Sequence, residues 1–84
     1  MKINHALDWQ EVHTKLKRDL STIGHNPDLR KMLNNISDMV TELSKIEVTA
    51  RRVHPTTLVA DRVTAINSAI SHLSKLILIA QLMK

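Results

Sequence analysis

Between Met32 and Val53 the apolar positions fall at Met32, Ile36, Met39, Leu43, Ile46, Ala50 and Val53, alternating steps of four and three. That alternation returns every side chain to one narrow stripe of an α-helix, the seam along which two helices pack. A second unbroken seam runs Val59, Val63, Ile66, Ile70, Leu73, Ile77 and Ala80. The stretch "HPTT" separates the two. Pro55 has no amide to donate and disfavours helix at His54, while Thr56 or Thr57 can cap the next helix. Pairing Val53 with Val59, Ala50 with Val63, Ile46 with Ile66, Leu43 with Ile70, Met39 with Leu73, Ile36 with Ile77 and Met32 with Ala80 keeps one register throughout. Only an antiparallel hairpin folded at residues 54–57 does this.

Each long helix carries a second apolar stripe. On the first it is Leu29, Leu33, Ile36, Val40 and Leu43, broken by Glu47; on the other it is Ala65, Ala69, His72, Leu76, Ile79 and Met83, broken by Arg62. Upstream, Trp9, Val12, Leu16, Leu20 and Ile23 recur at three and four, with Lys15, Lys17, Arg18 and Asp19 on the opposite side. Asp8 followed by Glu11 reads as a capping box, and Leu7 with Val12 as its hydrophobic staple. Gly24 suits a left-handed helix end, and Asn26-Pro27-Asp28 suits a new helix start. The boundaries expected are helix 1 about 9–23, helix 2 about 27–53 and helix 3 about 56–83, in one domain over 1–84. Helix 1, about 22 Å long against about 40 Å for helix 2, folds back along the end of the hairpin far from the turn. The architecture is all-α: a long antiparallel hairpin with a shorter N-terminal helix on its base, a three-helix bundle with a projecting tip and the option of dimerising.

Composition narrows the classes further. One Gly, two Pro, one Trp and neither Phe nor Tyr argue against a β domain, and the absence of cysteine removes disulfides and thiolate metal sites. The N-terminal "MKINHALDWQEVH" lacks the apolar run of a secretory signal, and the C-terminal apolar stretch is shorter than the roughly 20 residues of a spanning helix. A cytoplasmic protein with no membrane span is the expectation. Net charge +4 and a pI near 9.9 permit an acidic partner without requiring one.

Candidate chemistry is sparse. His5, His13, His25, His54 and His72 show neither an i, i+4 pair nor an HExxH motif, so no metal is expected; His72 reads as half-buried and His54 as a turn residue. One glycine cannot build a phosphate loop, and Asp38, Glu42, Glu47 and Asp61 read as solvated, so neither enzyme activity nor a cofactor is expected. Arg51 and Arg52, with His54 and Arg62, make a basic tip; Lys15, Lys17, Arg18, Arg30 and Lys31 make a second basic zone near the base. Nucleic-acid binding ranks below a protein partner, because the chain has no reading helix and one aromatic residue. In the ending "SKLILIAQLMK", Ile77 and Ala80 face helix 2, and Leu76, Ile79 and Met83 face the groove of helix 1. Leu78 and Leu82 are left over, in line with Ser71 and Lys75. Leu78, Leu82 and Lys75 are therefore the candidate partner-binding residues, with a second copy of the chain as one candidate partner.

The segments "MKINHALDWQEVH", "HNPDLRKMLNNI", "ARRVHPTT" and "LIAQLMK" resemble the RIII lysis-inhibition accessory proteins of T-even-type bacteriophages, over the whole chain by general likeness and without a diagnostic motif. The resemblance implies a cytoplasmic antiholin, a non-enzymatic regulator that binds the cytoplasmic N-terminal segment of the phage holin at the inner membrane and delays lysis. It supplies no residue roles; the candidate residues above rest on the periodicity alone.

Overall fold

A computed structural model describes the backbone of residues 1–53 and 56–83 and the side chains of residues 1–48 and 59–83. Three helices succeed one another along the chain: α1 (Trp9–Ser21), α2 (Pro27–Val53) and α3 (Thr56–Leu82), with no strand among the described residues. The hairpin of α2 and α3 dominates a molecule 49 Å long and 18 Å by 15 Å across. The seams behave as the spacing requires. Ile36, Leu43, Ile66, Ile70, Leu73 and Ile77 are buried, and Met32, Met39, Val59 and Val63 pack half-covered around them. Ala50 and Val53, the Pro55 turn and the capping threonines lie outside the residues whose side chains are described.

The helix junctions obey the local sequence at the base. Gly24 takes φ +79°, a left-handed conformation that other residues adopt only under strain. Asn26 then caps α2, its Oδ1 accepting the Leu29 amide proton at 3.1 Å. The other end of α1 differs from the expected capping box. A 3₁₀ turn, Ala6–Asp8, runs directly into α1, so Asp8 is already helical and caps one turn earlier. Its Oδ2 accepts from the amides of Asn4 at 2.8 Å and His5 at 3.0 Å, and these bonds lower its pKa below the usual aspartate value. The staple does not form either, since Leu7 is 90% exposed. Helix α1 also stops two residues short of Ile23.

Helix α1 packs chiefly on α2, where the whole second stripe, Leu29, Leu33, Ile36, Val40 and Leu43, is buried. From α1 it receives Val12, Leu16 and Leu20. The matching stripe of α3 is only partly covered. Ala69 and Leu76 are half-buried, while Ala65, His72, Ile79 and Met83 are exposed, contrary to the expectations that Ile79 and Met83 face the groove of helix 1 and that His72 is half-buried. A single short helix that buries the continuous leucine-rich stripe of α2 cannot lie far enough over to cover both.

The N-terminal residues form a strap that the periodicity does not reveal. Ile3 is fully buried among the core residues. Its N–H donates to Asn67 Oδ1 at 2.7 Å, and Asn67 Nδ2 donates back to the Ile3 carbonyl at 2.8 Å. Beyond it the Ala6 amide donates to Glu47 Oε1 at 2.9 Å, so Glu47 is a half-buried anchor and not a solvated face residue. Both anchors lie on the turn side of α1, at the level of Ile46 and Ile66, so the strap extends the third layer of the bundle toward the tip.

Candidate docking surface

The last two turns of α3 alternate between packing and exposure. Ile77 is buried and Ala80 half-buried against the hairpin, which fixes the rotation of the helix. Gln81 Nε2 donates to Thr22 Oγ1 at 2.9 Å and ties the end of α3 to the α1–α2 connection. The Met83 amide donates to the Ile79 carbonyl at 3.1 Å, so helical hydrogen bonding continues to the last described residue. On the face turned outward, Leu78 is 55% exposed and Leu82 78% exposed, one helical turn apart. Ile79 and Met83, expected under helix 1, stand beside them at 51% and 84%. Four large side chains at i, i+1, i+4 and i+5 thus make one apolar strip, with exposed Lys75 one turn before it. A strip of this spacing is suited to receive the apolar stripe of another helix.

Most of the basic tip belongs to the residues whose side chains are not described: Arg51, Arg52 and His54 lie outside them, and Arg62 is exposed. In the second basic zone Lys15 is paired with Asp19 at 3.0 Å, while Lys17 and Arg30 line a cleft between α1 and α2. No group of three or more potential metal-ligating side chains exists among the described residues.

By length and composition alone α3 is long and apolar enough to cross a membrane over Val59–Leu82, with mean hydropathy 1.4, although the C-terminal apolar stretch by itself reads as shorter than a span. The same helix supplies Ile66, Ile70, Leu73 and Ile77 to the bundle core and presents Ser68, Ser71, His72 and Lys75 at its surface. A core helix of a bundle has this profile as well. One further polar atom is unusual: Ser74 Oγ is buried without a hydrogen-bond partner.

No protein-family model, no curated protein and no solved structure matched this chain. The class that fold and surface define is an all-α three-helix bundle with an exposed apolar strip at one end.

Proposed function

We propose that the protein is a non-enzymatic helical interaction module that takes up a partner helix on the apolar C-terminal end of α3. In line with the resemblance to the RIII lysis-inhibition proteins, we infer that the partner is the cytoplasmic N-terminal segment of a phage holin. Binding in the host cytoplasm would then delay hole formation and lysis.

The observation that carries the reading is the exposed strip of Leu78, Ile79, Leu82 and Met83 on a helix end held by Ile77, Ala80 and Gln81. Each leucine left in water forgoes burial of the order of 2 kcal/mol, which a docked helix recovers. The pre-formed helix adds to this, because little ordering entropy is lost when the partner arrives. A second copy of the chain is the alternative occupant, since a two-fold axis would set the same strip against itself.

Isothermal titration with a synthetic peptide of the holin's cytoplasmic N-terminal segment tests the reading. Saturable binding with a Kd of roughly 10 µM or tighter is expected. Absence of binding at peptide concentrations well above that value removes the holin assignment. A concentration-dependent dimer in the same preparation transfers the strip to the second copy.

A further inference from the structure

The cleft between α1 and α2 shares no lining residue with the apolar strip and has a chemistry of its own. Helix α1 lines it with His13, Lys17 and Leu20, and α2 with Arg30, Leu33 and Asn34; these positions share one face on each helix. The cavity measures about 300 Å³, near the lower end of pockets that hold small molecules. Leu20 and Leu33 form its floor and belong to the core. His13 is held at its rim by stacking on Trp9, with ring centroids 5.2 Å apart.

No carboxylate lines the cleft, and among the described residues neither Lys17 nor Arg30 takes part in an ion pair. Lys15, on the same helix as Lys17, is by contrast neutralised by Asp19. Two cations from different helices therefore line one cavity whose other lining residues include two core leucines and no carboxylate. A dianion engages both cations, where a single carboxylate would leave one unsatisfied, and a guanidinium offers a bidentate fork to phosphate oxygens. The lining contains no aromatic platform on which successive bases could stack, which favours a small ligand over a nucleic acid strand.

We propose that this cleft binds a small phosphate ester, its phosphate between Lys17 and Arg30 and its apolar body on Leu20 and Leu33. His13 and Asn34 add hydrogen-bonding groups at the rim. None of the residues lining the cleft belongs to the docking strip.

Amide NMR titration of the full chain with phenyl phosphate, which joins a dianion to an apolar ring, reads the site residue by residue. Saturable shifts centred on residues 13, 17, 20, 30, 33 and 34 are expected, with inorganic phosphate binding more weakly because it leaves the leucine floor bare. Lys17→Gln combined with Arg30→Gln should weaken phenyl phosphate on the order of tenfold, while Lys31→Gln, an exposed cation outside the cleft, should not. Both substituted groups are at the surface, so the amide spectrum of each variant should otherwise match the parent. Lack of saturable shifts, equal weakening by Lys31→Gln, or binding of an oligonucleotide with none of phenyl phosphate would each overturn the proposal.

Discussion

Ile3 and Asn67, sixty-four residues apart, hold each other by two reciprocal hydrogen bonds, 2.7 Å from the Ile3 amide to Asn67 Oδ1 and 2.8 Å from Asn67 Nδ2 to the Ile3 carbonyl. The side-chain amide of Asn67 thus meets the backbone of Ile3 much as a neighbouring strand would, and it allows a buried isoleucine to enter the core without leaving its own polar groups unpaired. The strap it secures covers the hairpin where α1 no longer reaches.

Asn67→Ala removes both bonds and leaves the donor and acceptor of Ile3 without partners in a partly buried position. The expected loss is about 1–3 kcal/mol of stability, read from urea denaturation. Faster hydrogen exchange should be confined at first to residues 3–8. Unchanged stability together with unchanged exchange would show that the strap holds without this clamp.

In the hairpin seam, Ile66 is fully buried and Ile46 is half-buried. Ile66→Asp places an uncompensated carboxylate in the core and is expected to unfold a domain of this size, whose whole stability is only about 5–15 kcal/mol. Ile46→Asp has a partial escape to water and should cost less. Circular dichroism and thermal melting rank the two; the reverse order would contradict the assigned burial.

Much of this was legible from the spacing of apolar residues. The bounds of α2 agree with the expected helix, and those of α3 agree to within a residue, because two seams in register constrain each other. The strap was not legible. Ile3 has no periodic neighbours, Asn67 sits one position beside a seam residue, and Glu47 reads as an interruption of a stripe until its bond to the Ala6 amide is known. Periodicity likewise marks which faces are apolar but not which of two stripes one short helix will cover. That is why Leu78 and Leu82, off both stripes, could be read as exposed, while Ile79 and Met83 could not.

Asp8 gives a pH signature. Its folded-state pKa is lowered by hydrogen bonds from the amides of Asn4 and His5, so its contribution is present above the usual aspartate pKa and is lost as pH falls through the lowered value. The stability difference between the parent and Asp8→Asn should therefore shrink on acidification below about pH 4. A difference that stayed constant through that range would contradict the capping role.

Ser74→Ala removes a buried hydroxyl that has no partner and introduces a better helix former. A gain of up to about 1 kcal/mol is expected, measured by chemical denaturation. A clear loss would mean that the hydroxyl is satisfied in solution.

Sedimentation velocity of the chain with the holin-segment peptide, for the parent and for Leu78→Lys combined with Leu82→Lys, bears most directly on the claim that the end of α3 is a docking surface. Both leucines lie outside the core, at 55% and 78% exposure, so the double variant should keep the circular dichroism and melting temperature of the parent. The parent should sediment as a complex with the peptide and the variant as a free monomer. A folded double variant that associates as the parent does would contradict the account.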